Sequence, residues 1–179
     1  MSNVLVAPGE NQFLDNCNSA VAMYSSRPWQ PDDIEFLWDM LYQAIHVADG
    51  QPPVPRSIVD QHDIAHYLVD FGSRVGDDAQ VAIDSSGARI GAAFCRRMTA
   101  DDPGYGFVSN DVPEVGMAIC EGWRGQGVGR AILTGLLDRH PSMSLSVDRD
   151  NTVAQRLYLR LGFLAQEGDH SSITMLRRP

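Results

Sequence analysis

Three glycines spaced two apart, Gly125, Gly127 and Gly129, sit in the segment EGWRGQGVGRAIL, between an apolar strand pattern and an apolar-faced helix pattern. Backbone N–H groups at a helix start, together with the positive end of the helix dipole, form a cradle suited to a pyrophosphate. Glycine is needed there because side chains would block the approach. Two common phosphate loops are excluded. The spacing does not give GxGxxG, and the Walker pattern GxxxxGK[ST] needs a lysine that is absent here. What remains is RxxGxG, read as Arg124, Gly127 and Gly129. For the loop alone, a glycine-rich turn that merely caps a helix is the ordinary alternative.

The flanking patterns set the architecture. A strand is expected at Val21 to Ser25, and a helix from Pro31, where Pro and two Asp suit a first turn. Its apolar stripe is Ile34, Leu37, Trp38, Leu41 and Ile45. The stretch QPPVPR breaks it, and Ile64, Tyr67, Leu68 and Phe71 then recur at helical spacing up to Gly72, a left-handed stop. QVAID and ARIGAAFCRRM flank Ser85, Ser86 and Gly87 as a hairpin, with apolar Val81, Ile83, Ile90 and Phe94, and EVGMAIC is a third strand. Further on come a helix at Val128 to Arg139, a strand at Met143 to Val147, a helix at Thr152 to Leu161 stopped by Gly162, and a hairpin at Phe163 to Leu176. Strands in the centre interrupted by helices point to an α/β fold with a mixed central sheet flanked by helices.

A chain of 179 residues suits one compact core. Residues 1–20 read as a flexible amino-terminal extension and residues 21–179 as a single domain. No apolar run approaches the ~18 residues of a membrane span, and MSNVLVAPGE lacks the basic flank and apolar stretch of a secretory signal, so the cytoplasm is the expected address and no membrane partner is expected. The net charge of -9 opposes binding to nucleic acid. Cys17, Cys95 and Cys120 show no disulfide or metal spacing and are expected to be buried thiols.

A second motif, NTVAQRLYLRLGF, follows the glycine loop at residues 151–163. With RxxGxG it resembles the GNAT (GCN5-related N-acetyltransferase) superfamily, whose cofactor loop reads [QR]xxGx[GA] and whose later helix reads NxxAxxLYxxxGF. The resemblance runs from about Trp29 to the carboxyl terminus and is most specific over Glu114 to Phe163. It implies the GNAT fold and acetyl-coenzyme A as co-substrate. It also implies that Arg124, Gly125, Gln126, Gly127, Val128, Gly129 and Arg130 surround the coenzyme A pyrophosphate, and that the backbone of Met117 and Ile119 holds the pantetheine arm. Glu121 departs from the pattern, since many relatives have proline there.

Direct transfer of an acetyl group to an amine needs a neutral nucleophile, a donor for the developing oxyanion and a proton for the leaving thiolate. The resemblance implies Tyr158 as the general acid and the Ile119 N–H as the carbonyl donor, against a plain packing role for Tyr158. Asn151 precedes a helix, which suits an N-cap, and the family role of bonding the cofactor arm is compatible with it. Glu114 opens the central strand and is the carboxylate expected to face the acceptor and take its ammonium proton. A surface glutamate is the alternative.

His62 and His66 share the i, i+4 spacing of zinc helices, but Asp63 stands where a metalloprotease has Glu and no third ligand is indicated, so a solvated helix face and no metal are expected. Asp77, Asp78, Asp101, Asp102 and Asp111 fall in loops and hint weakly at a cationic acceptor. The resemblance implies an amine acceptor, a small molecule or peptide, which the variable loops 47–60 and 99–112 are expected to meet. A homodimer is compatible with these features. The other readings are a non-catalytic acyl-coenzyme A sensor or scaffold and, more remotely, a nucleotide-binding domain.

Overall fold

The computed structural model describes residues 23–47, 50–166 and 172–179. The amino-terminal extension and Cys17 lie outside them. The elements are β1 (Tyr24–Pro28), α1 (Ile34–Ala44), α2 (His62–Ala65), β2 (Asp78–Asp84), β3 (Arg89–Arg96), β4 (Glu114–Ile119), α3 (Val128–Leu137), β5 (Met143–Asp148), α4 (Thr152–Arg160), β6 (Leu164–Ala165) and β7 (Ser172–Arg177). The seven strands form one sheet in the order β1-β2-β3-β4-β5-β7-β6. Every neighbouring pair is antiparallel except β4 and β5, which are parallel.

Both faces of the sheet are covered, so β3 reads as a nearly continuous apolar run. Ala92 and Phe94 pack with Leu37, Met40 and Leu41 of α1, whereas Ala93 and Cys95 pack with Ile132, Leu133 and Leu136 of α3. Met40, outside the expected stripe, is fully buried, while Ile45 lies just beyond the end of α1.

The first strand runs from Tyr24 to Pro28, later than the expected Val21 to Ser25, and Val21 lies outside the described residues. The edge position of β1 tolerates Pro28, and Arg27 fixes the strand by a bidentate pair to buried Asp33 at 2.7 and 3.0 Å.

The second helix is also corrected. Only His62–Ala65 is α-helical, and turns follow as far as Gly72. Buried Arg96 reaches across from β3 and donates to the carbonyls of His66 and Val69, both at 2.7 Å, while pairing twice with Asp77 at 2.8 Å. Those carbonyls are the acceptors that a continuing helix would use, and Asp70 turns the chain with a φ of 53°. Among the described residues no helix is long and apolar enough to cross a membrane.

Candidate active site

The site begins where the sheet comes apart. β4 and β5 share one register pair, Glu114 with Ser144, and beyond it the strands diverge. Cys120 N–H donates to Ile90 O at 2.9 Å, so by strand alternation the N–H groups of Met117 and Ile119 turn away from β3 toward the gap. The Ile119 carbonyl is taken by Arg124 Nε at 3.0 Å, which pins the loop that follows to the end of β4.

That loop carries the glycine motif into α3. Gly127 is the N-cap residue of α3 with φ 84°, and Gly125 has φ 75°, conformations that a side chain makes costly. Among the described residues, the N–H groups of residues 125–130 donate to no protein acceptor. A helix start with free donors and no obstructing side chains fits an anion. Gln126 Nε2 donates to Gly122 O at 2.8 Å, and Tyr24 OH approaches Gln126 O at 3.5 Å, so the loop is braced from both sides.

Asn151 caps α4, its Oδ1 accepting the Ala154 N–H at 3.2 Å. Two turns on from Asn151, the Tyr158 ring is buried on the α3 face of the sheet, edge-on to Phe163 with centroids 5.8 Å apart. Its hydroxyl makes no hydrogen bond to the protein, yet the oxygen is not fully sealed from solvent. Burial pushes its pKa up to about 12, so it stays protonated at neutral pH.

Glu114 is not a surface residue: it is 3% exposed and lies on the opposite, α1-facing side of the sheet. Tyr67 OH donates to its Oε1 at 2.6 Å and Gly106 N–H donates to the same oxygen at 2.8 Å, while Oε2 has no partner. Burial dominates these two hydrogen bonds and pushes the carboxyl up to about 7. The cover is the loop at 104–106. A Cβ at Gly104 would run into Glu114 Oε2, and one at Gly106 would run into the Leu145–Ser146 backbone, so glycine lets the loop lie this close. Sequence reasoning missed this cover and read Tyr67 only as part of a core stripe.

The histidines are corrected as well. His62 is exposed, but His66 is buried at 4% exposure, and Asp102 is the third group that the spacing did not indicate. The His66 hydrogen bond, ahead of the His62 bond, holds the Asp102 carboxyl below its usual range. Of the cysteines, Cys95 is buried and Cys120 only partly so. Asp77 and Asp78 are engaged by Arg96 and Arg139, which makes them structural rather than free for a ligand.

Comparison with known proteins adds a family to this geometry. The model of the acetyltransferase (GNAT) family matches residues 38–163. The fold is similar to that of histone acetyltransferase HPA2 and related acetyltransferase from Corynebacterium glutamicum, with TM-score 0.60, 22% identity, and 88% and 97% of the two chains covered. It is also similar to a GCN5-related N-acetyltransferase from Kribbella flavida, with TM-score 0.58, 18% identity, and coverage of 88% and 98%. The ribosomal-protein-S18-alanine N-acetyltransferase from Escherichia coli aligns at TM-score 0.57 and 16% identity over 87% and 93%. No curated protein matches the chain.

Proposed function

Because the chain belongs to the acetyltransferase (GNAT) family, we propose that it moves an acetyl group from acetyl-coenzyme A directly to an amine of a small molecule or peptide. The observation that carries this reading is the row of free N–H donors at residues 125–130, opening onto the parallel and divergent pair β4 and β5.

In this reading Arg124, Gly125, Gln126, Gly127, Val128, Gly129 and Arg130 hold the pyrophosphate, and the backbone of Met117 and Ile119 holds the pantetheine arm. The Ile119 N–H polarises the thioester carbonyl. Glu114 takes the proton of the acceptor ammonium on one face of the sheet, and Tyr158 protonates the leaving thiolate on the other. Asn151 orients the start of α4 beside the arm. No metal enters this transfer.

Acetyl-coenzyme A is expected to raise the melting temperature, since a ligand selective for the folded state stabilises it by mass action. Gly127→Val should lose that shift, because a branched residue is strained at φ 84° and its Cβ would press on Tyr24 OH at 3.3 Å. An undiminished shift in a folded Gly127→Val protein sinks the loop assignment. A larger shift with ATP or NAD would point instead to a nucleotide domain.

One observation favours the sensor reading: Glu114 is closed off beneath residues 104–106. Release of coenzyme A thiol across a panel of amines separates the two, since a sensor releases none with any acceptor.

A further inference from the structure

We propose that His62, His66 and Asp102 form a binding site for a divalent cation of the zinc class, joining α2 to the loop that starts at residue 99. His62 Nε2 and His66 Nδ1 both lie against the same oxygen, Asp102 Oδ1, at 3.1 and 2.8 Å. All three donor atoms fall within 4.8 Å of one another. Tetrahedral zinc with bonds of ~2.0–2.1 Å separates its donors by roughly 3.3 Å, so each N···O pair needs to open by only a few tenths of an ångström, while the two nitrogens lie no more than 4.8 Å apart. Two imidazoles and one carboxylate suit zinc, cobalt or nickel rather than magnesium or calcium, which prefer oxygen ligands.

The scaffold for two of the ligands is already rigid. His66 N–H closes on His62 O at 3.0 Å, and Arg96 grips the His66 carbonyl at 2.7 Å, so the buried imidazole is held in place. The His62 side chain is 82% exposed and Asp102 is partly exposed, which leaves an entry path and an open position for water. Binding needs His62 Nε2 and His66 Nδ1 free of a proton, so each neutral ring then carries its proton on the other nitrogen. His66 Nε2 makes no hydrogen bond within the protein, so no existing bond is broken there.

Both sides of the cation lead to Glu114. Tyr67, next after His66, donates to the carboxylate, and Gly104 and Gly106, just beyond Asp102, cover it. The same two segments are also linked by Tyr105 OH to Asp63 at 2.7 Å. A bound cation would therefore brace the cover. This last consequence rests on the proposed acyl transfer, whereas the binding site itself does not.

The test is calorimetric titration of the metal-free full chain with Zn2+, with ligand-field spectra of added Co2+ as a second readout. One-to-one binding and tetrahedral-type visible bands are expected, with affinity lowered about tenfold or more in His62→Ala and in Asp102→Asn. His62→Ala changes an exposed side chain, so it remains informative if His66→Gln fails to fold. Asp150→Asn, at the other His and Asp cluster formed with His46 and Asp148, should leave the affinity unchanged. Absence of binding at about 100 μM Zn2+, or binding that survives His62→Ala and Asp102→Asn, overturns the proposal; so does binding lost with Asp150 alone.

Discussion

Tyr158→Phe is expected to keep its fold and its affinity for acetyl-coenzyme A while its rate of acyl transfer falls ~10²- to 10⁴-fold, the usual contribution of a positioned general acid. The ring that packs edge-on to Phe163 is retained, and the lost hydroxyl makes no hydrogen bond within the protein, so no structural contact depends on it. One lost neutral hydrogen bond to a ligand would weaken affinity by only about tenfold, so the effects on binding and on chemistry are separable. The measurement is single-turnover transfer, in which product release cannot mask the chemical step. A rate within about threefold of the parent, under ~1 kcal/mol in barrier, would make Tyr158 a packing residue.

Glu114→Gln is expected to lower transfer by a similar ~10² to 10⁴ at pH 8 and, in the opposite direction, to stabilise the fold there. With its pKa pushed from 4.5 to about 7 by burial, native Glu114 holds a proton that the unfolded chain has already released. Between those two values the native state binds more protons, so this group makes stability fall as pH rises, and the loss levels off above about 7. The shift corresponds to a penalty on the order of 3 kcal/mol. Glutamine can keep an acceptor for Tyr67 and Gly106 without carrying the charge. Denaturant unfolding at pH 5 and pH 8 should therefore give the variant a smaller pH-dependent loss than the parent, and equal losses would mean that Glu114 does not titrate in this window. Parent activity should rise with pH through about 7, because only the carboxylate can accept a proton.

Patterns local to one element were legible in the sequence. The glycine loop between a strand and a helix, the start of α3 at Val128, the Asn151 cap and the order of strands and helices all follow from short-range spacing. Long-range contacts were not. α2 stops early where Arg96, from a strand well down the chain, takes the carbonyls of His66 and Val69 that a continuing helix would use. Glu114 is buried because two glycines let a loop lie directly on it, and nothing in the EVGMAIC pattern signals that cover. Asp102 meets His62 and His66 across separations of 40 and 36 residues, so the histidine spacing displayed only part of the cluster. The identity of the amine belongs to loops whose shape no periodicity encodes.

The single register pair between β4 and β5 has a mechanical consequence. Mechanically, the sheet is a four-stranded leaf and a three-stranded leaf pinned at one end, by Glu114 against Ser144. Rotation of one leaf against the other moves the pinned end least and the far end, at Ile119 and Val147, most, as in a pair of tweezers. The pin also carries the buried carboxyl and, on the facing strand, Ser144, whose Oγ has no partner either. Charging the carboxyl would strain the hinge at the point with the longest lever arm to the tips. Amide hydrogen exchange at Ser144, whose N–H crosses to Pro113 O at the pin, followed from pH 5 to pH 8, should then quicken more in the parent than in Glu114→Gln.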